Sequence, residues 1–429
     1  MRRSVKFHPL ENGMMLYYRP HRQDRQDNVS GIGVRAGSIH DPPGKSGLAH
    51  FAEHVLTYRS RKYPDPKEVD RILSKYLGDP DSGDWNIRVD RSNTFFGHGL
   101  LLRRKHMLIV FDLLSSFLRP HYRILDVDGA KSEIAAIHQE YFLRGIDIPE
   151  TFLDDLMHQT MYDKNPARNR VDCDESNLGK MTPEDVRRFL RRYYVPSNMF
   201  VIIFGPTLDQ AQKLAEKCFG DWDTKTVPIL DYDHSDDLPK FSNIKPREVP
   251  REGINQYHCA IGFPTENYLS DDAETIDVLG RILGFRLLCL LRGNNTDFDG
   301  GVYRVPVETE RSLVHGMIYV SFATKSKDFE AAAEDVVIKE VKRLKSELVG
   351  QNELDMAKSR TFAEYWDAFW NTTEVLSELV IAAASNGDAN LVRLHEFPER
   401  LKKVNSHRLR DVANKYLTKN YVRVLIKPA

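Results

Sequence analysis

Two stretches half a chain apart carry the same pattern of apolar and polar positions. Residues 182–206 read TPEDVRRFLRRYYVPSNMFVIIFGP, and residues 405–428 read NSHRLRDVANKYLTKNYVRVLIKP. In each, apolar residues recur at helical spacing, a short turn follows, and a run of strand formers ends in Pro. Val186, Phe189 and Tyr193 align with Leu409, Val412 and Tyr416; after a one-residue gap, Asn198 and Pro206 align with Asn420 and Pro428. A second pair agrees. GIGVRAGSIHDP from Gly31 and CAIGFPTENYLSDD from Cys259 are each an apolar strand, then a polar loop leading into a helix. The pattern predicts a duplicated unit, each copy closing one half of the protein. Between them lies a stretch with four prolines, many charges and no periodicity. The division read from this is a domain over 1–222, a linker over 223–250 and a similar domain over 251–429.

In the first half, strands are predicted near 14–19, 28–36, 85–96 and 198–204, and helices near 46–58, 66–76, 103–117, 126–143, 150–160 and 183–194. In the second half, strands fall near 255–263, 301–307 and 314–323, and helices near 271–290, 327–347, 351–368, 371–386 and 405–416. Strands and helices mix without strict alternation. That predicts an α+β fold of two similar domains, each a largely antiparallel sheet with helices packed on it.

Composition narrows the function. The 429 residues are 41% hydrophobic, enough to bury real cores, and at about 150 residues per domain the length suggests two or three domains. Sixty-one Lys and Arg against 62 Asp and Glu leave a net charge of −1. This excludes the basic footprint of a dedicated nucleic-acid binder and gives no reason to expect a membrane surface as partner. No apolar run reaches the ~18 residues of a membrane span. MRRSVKFHPLENG has no apolar core, so no secretory signal is expected, and strand-like sequence from near Gly13 argues against a mitochondrial presequence. Cys173, Cys218, Cys259 and Cys289 lie far apart without a C-x-x-C pair. They are read as thiols in a reducing cytoplasm.

The chemistry concentrates in GLAHFAEHVLT, residues 47–57. His50 and His54 stand four residues apart, on one helical face about 6 Å from each other. Two imidazoles so placed bind a single Zn²⁺ at roughly 2.0–2.1 Å. Glu53 shares the face and is available to deprotonate a water at the metal. The H-x-x-E-H order is the inverzincin signature. Ala49, Phe51, Val55 and Leu56 mark a buried helix, where bare polar groups are costly unless paired. A catalytic zinc needs a third protein ligand. The predicted helix 126–143 offers Glu133 and Glu140, two turns apart on one face. Glu140 is taken as the ligand and Glu133 as the carboxylate that orients a histidine or the water, with His138 as a competing ligand.

From Leu10 almost to its end, the chain resembles the pitrilysin/insulinase superfamily of zinc peptidases, specifically its half-size members akin to mitochondrial processing peptidase subunits. LENGMMLYYRP, VRAGSIHDPPGKSGLAHFAEHVLTYRSRKYP, GDWN, SEIAAIHQE and MTPEDVRRFLRRYYVPSNMFVIIFGP carry the resemblance. It implies one zinc per chain on His50, His54 and Glu140, with Glu53 as general base and Glu133 in support. It implies a zinc endopeptidase acting on peptides inside a clam-like chamber, formed with a second half-size chain as homodimer or heterodimer. Asn86, in Asn86-Ile87-Arg88-Val89, matches part of the family's edge-strand pattern and would touch the substrate main chain, which adds as a further β-strand. Arg292 and Tyr303, in LLRGNNTDFDGGVY, correspond to a family pair near the scissile carbonyl, Arg292 as anchor and Tyr303 as oxyanion donor. The alternative is a non-catalytic core or recognition subunit of a peptidase heterodimer.

Overall fold

The computed structural model describes residues 5–20, 28–57, 59–77, 85–102, 104–120, 123–124, 149–163, 165–172, 177, 179–205, 207–223, 238–267, 269–292, 302–310, 316–370, 380, 383 and 396–429. In chain order the first elements are β1 (Lys6–Pro9), β2 (Met15–Pro20), β3 (Asn28–Val34), α1 (Leu48–Thr57), α2 (Pro66–Leu77), β4 (Trp85–Val89), β5 (Thr94–Leu102) and α3 (Arg104–Leu118). Next come α4 (Pro149–Met161), α5 (Pro183–Tyr193), β6 (Met199–Gly205), α6 (Leu208–Ala215), β7 (Lys245–Arg251), β8 (Tyr257–Thr265) and α7 (Ala273–Arg292). The last are β9 (Val307–Thr309), β10 (Gly316–Thr324), α8 (Lys327–Ser346), α9 (Gln351–Trp370), α10 (Ser406–Tyr416) and β11 (Val422–Pro428).

Among the described residues, six strands form one sheet in the order β1-β2-β6-β3-β5-β4, and five form another in the order β7-β11-β8-β10-β9. In the first, β2 and β6 run parallel and every other pair is antiparallel. In the second, β7 and β11 run parallel and the rest antiparallel. Omitting β1, the two orders match strand for strand and direction for direction. The paired stretches of the sequence occupy equivalent places: α5–β6 corresponds to α10–β11, and β3 to β8. Their helix starts are built alike. Thr182 accepts from the Asp185 N–H in a capping box, and Asn405 accepts from the Arg408 N–H.

Each sheet has its own core. Val201 and Ile203 of β6 pack with Phe51, Val55, Phe96 and Phe111. Ile261 and Phe263 of β8 pack with Leu283, Val320, Val337 and Leu409. Both central strands are also buried on the opposite face, as Phe200, Ile202 and Ala260 show. A strand buried on both sides reads as an unbroken apolar run and requires a second layer.

That second layer corrects the expected division at residues 222 and 250. The chain groups as 1–141 with 169–230 and 368–395, and as 142–168 with 231–367 and 396–429. Helix α4, expected in the first domain, lies on β8 and β11 of the second sheet. The end of the Met157 side chain of α4 fills the space a Cβ at Gly262 would take. The Tyr162 hydroxyl donates to the Gly316 carbonyl (2.8 Å), and Tyr319 donates to Asp154 (3.1 Å). Conversely, Val380 and Ala383 are fully buried in the first unit, where Arg35 Nε donates to the Ala383 carbonyl (3.0 Å).

Two smaller corrections follow. The strand expected over 85–96 is a hairpin, β4 and β5, closed at Asp90-Arg91-Ser92-Asn93 by an Asp90 N–H bond to the Asn93 carbonyl (2.8 Å). The last residues of the expected linker form β7, whose Pro246 and Pro250 are tolerated because it is an edge strand. The predicted helix 126–143 and most of 371–386 lie outside the described residues. Among the described residues, no helix is long and apolar enough to cross a membrane. Cys218, Cys259 and Cys289 are free thiols, and Cys173 lies outside the described set.

Candidate metal centre

Helix α1 is held at its start by a carboxylate. Asp41 Oδ2 accepts from the Gly47 N–H (2.7 Å), and Oδ1 accepts from the Ala49 N–H (2.8 Å). These are helix-start donors that would otherwise be buried without partners. Gly47 has φ +89°, a left-handed conformation open to glycine at little cost. Leu48, Ala49, Phe51, Ala52, Val55 and Leu56 are all at most 2% exposed, so α1 is locked into the first core on most of its circumference. It packs against α5, α3 and β4. At its other end the Thr57 hydroxyl donates to the carbonyls of Glu53 and His54 (3.1 and 3.2 Å).

Asp41 also couples this anchor to pH. Burial pushes its carboxyl up to about 7, against the N–H groups of Ala49, Gly47 and Leu48 that pull it down. The folded protein therefore holds this proton more tightly than the unfolded chain. The resulting stabilisation is complete below the ordinary carboxylate pKa near ~4 and is lost as pH rises towards 7. Asp41→Asn exchanges no proton at this position. Its unfolding free energy relative to wild type is expected to rise by about 1–4 kcal/mol between about pH 4 and pH 7, read from urea titrations. His40, which burial lowers to about 4, is common to both proteins and drops out of the difference. A pH-independent difference would contradict this account.

On the face left open, the periodicity of the helix brings three polar side chains together. His50 Nε2 and His54 Nε2 lie 3.2 Å apart, and Glu53 Oε2 is 3.9 Å from His54 Nε2. His50 and Glu53 are 5% and 7% exposed; His54 is half-buried. One ligand atom from each of the three falls within 4.8 Å of the others. This arrangement fits zinc. Two nitrogens 3.2 Å apart, each bonded at 2.0–2.1 Å, subtend an angle of about 100° at the ion, close to the tetrahedral value. Imidazole and carboxylate are also suitable donors for that ion.

The other expected site residues stand as follows. Glu133, His138 and Glu140 lie outside the described residues. Asn86 sits on β4, paired with Gly97 of β5. β4 is the edge of its sheet, as the edge-strand expectation requires. Arg292 ends α7, and its guanidinium lies 4.7 Å from the ring centre of Tyr303, which is 71% exposed.

Two carboxylates were missed at the level of sequence. One is Asp41. The other is Asp172, whose Oδ1 lies 3.8 Å from His50 Nδ1. The helix-start position six residues before Gly47 was a readable signal for Asp41. Asp172, in ARNRVDCD, carries no periodic or motif signal.

The whole chain is similar to known proteases. The profile of Insulinase (Peptidase family M16) matches residues 21–175, and that of the Peptidase M16 inactive domain matches 180–361. The uncharacterized zinc protease YmxG of Bacillus subtilis is 21% identical over 430 residues, covering 99% of this chain and 98% of its own length. The crystal structure of a protease from Helicobacter pylori superposes with a TM-score of 0.86 at 17% identity, over the whole of both chains. The periplasmic protease PqqL from Escherichia coli superposes with a TM-score of 0.76 at 13% identity; the match takes in all of this chain and 48% of that one.

Proposed function

Since the chain belongs to the M16 (pitrilysin/insulinase) superfamily of zinc peptidases as a half-size member, we propose that it is a zinc-dependent endopeptidase that cleaves peptides enclosed between it and a second, related subunit. The observation carrying this reading is the pair of histidine Nε2 atoms 3.2 Å apart with the Glu53 carboxylate beside them on a buried helix. His50 and His54 hold the ion, with Glu140 as third ligand and Glu133 in support, on the strength of the family resemblance. A bound zinc supplies a Lewis acid that acidifies water and polarises a carbonyl.

The rest is work for this chain's own residues. Glu53 takes the proton from the attacking water and passes it to the leaving amine. β4, at the sheet edge and against α1, receives the peptide backbone as an added strand, with Asn86 contacting its main chain. Backbone pairing of this kind reads extended shape rather than sequence. Arg292 anchors the substrate, and the Tyr303 hydroxyl donates to the developing oxyanion. Pairing with a second chain, as homodimer or heterodimer, is supported by PqqL, in which this fold spans about half the length.

The purified chain is expected to carry about one zinc by mass spectrometry of the metal. It should cleave an internally quenched peptide, lose that activity to a chelator, and regain it with added zinc. A chain that binds no zinc and cleaves nothing, alone or mixed with a related half-size subunit, overturns the reading in favour of a recognition subunit.

A further inference from the structure

Resting on that metal centre, we infer that Asp172 is a positioning residue that fixes the tautomer and orientation of His50. The two nitrogens of an imidazole lie on different sides of the ring. His50 directs Nε2 at His54 Nε2, 3.2 Å away, so Nδ1 is turned away from the ligand face. There it meets Asp172 Oδ1 at 3.8 Å. Both side chains are largely withdrawn from water, at 7% and 18% exposure. Asp172 is not among the groups whose atoms converge on the ligand face, so its place is behind the histidine and not on the ion.

A ligating histidine must be neutral, with its lone pair on the nitrogen facing the metal and its proton on the other. A carboxylate accepting from Nδ1–H selects that tautomer and makes Nε2 a better donor. The 3.8 Å separation is about 1 Å longer than a typical N–H···O bond. For Asp172 to accept from Nδ1–H, this gap must close when the ion binds. The segment carrying Asp172 is anchored for this role. Asn169 Nδ2 donates to the Ser38 carbonyl (2.9 Å), in the same loop whose Asp41 starts the metal helix. The carboxylate and the histidine it faces are therefore referred to one piece of backbone.

The test is zinc affinity, measured by chelator competition on the full chain. Asp172→Ala is expected to weaken zinc binding by about 10–100-fold. Asp172→Asn keeps an acceptor of the same shape but loses the charge, and is expected to fall between the alanine variant and wild type. The apo proteins should unfold at the same temperature, which a merely structural role for Asp172 would not allow. In ¹⁵N-histidine NMR of the zinc-loaded protein, the His50 Nδ1–H signal should move upfield in both variants. Wild-type affinity in Asp172→Ala, or in Asp172→Asn if the alanine variant does not fold, overturns the inference while leaving the metal centre intact. Absence of zinc binding by the wild type overturns both.

Discussion

Glu53→Gln is expected to lower kcat for peptide cleavage by about 10³-fold, equivalent to about 4 kcal/mol of transition-state stabilisation, and to leave zinc bound. The substitution preserves shape in a site where Glu53 is 7% exposed, so packing around α1 is unchanged and the loss belongs to proton transfer. Gln can neither accept a proton from water nor return one to the amine. The residual rate reflects orientation of the peptide and polarisation of its carbonyl, which do not pass through this side chain. Zinc should be retained, since in the proposed site the histidine pair holds it, and KM should move little, since Glu53 is assigned to proton transfer. Single-turnover cleavage and metal content on the same preparation check both halves. Turnover within about tenfold of wild type would remove Glu53 from the chemistry.

His50→Ala is expected to produce the second large effect, loss of the ion itself. Removing a group that only orients a ligand weakens metal binding by about 10–100-fold, so removing a ligand is expected to exceed 100-fold. The nitrogen lost is one of the two Nε2 atoms that define the ligand face, and the remaining His54 and Glu53 cannot reproduce its position. Two measurements on the apo and zinc-treated protein decide it. Zinc content should fall well below stoichiometric, and the zinc-induced rise in unfolding temperature should disappear. The fold should survive, because α1 is held by Phe51, Val55 and the Asp41 anchor and not by the imidazole. Stoichiometric zinc in His50→Ala would refute this assignment.

Much of the architecture is legible in the sequence. The repeat between 182–206 and 405–428 became α5–β6 and α10–β11, in equivalent places of two sheets with one strand order. The four-residue spacing of His50 and His54 placed both rings on one side of α1, with Glu53 beside them. These features are local. A helical repeat of 3.6 residues and a strand repeat of two convert sequence spacing directly into spatial proximity.

The exceptions are non-local. α4 sits on the second sheet, where its Met157 and Met161 fit over Gly262 of β8, a strand buried on both faces. The unbroken apolar run of β8 announced that a cover was needed but not which segment would supply it. Asp172 reaches His50 across more than a hundred residues, through a loop with no periodicity to betray it. The hairpin β4–β5 was hidden inside one predicted strand because its turn, Asp90 to Asn93, interrupts the alternation only briefly.

By itself, then, the order of residues determined two related α+β halves and a helix carrying two imidazoles and a carboxylate on one face. Only tertiary structure decided which segments crossed between the halves, which strand became the sheet edge beside that helix, and which carboxylate came to stand behind His50. Spacing along a chain encodes neighbours a turn or a pleat away. Contacts between distant segments are settled by which surfaces remain to be buried once the local elements have formed, and no short window of sequence contains both partners.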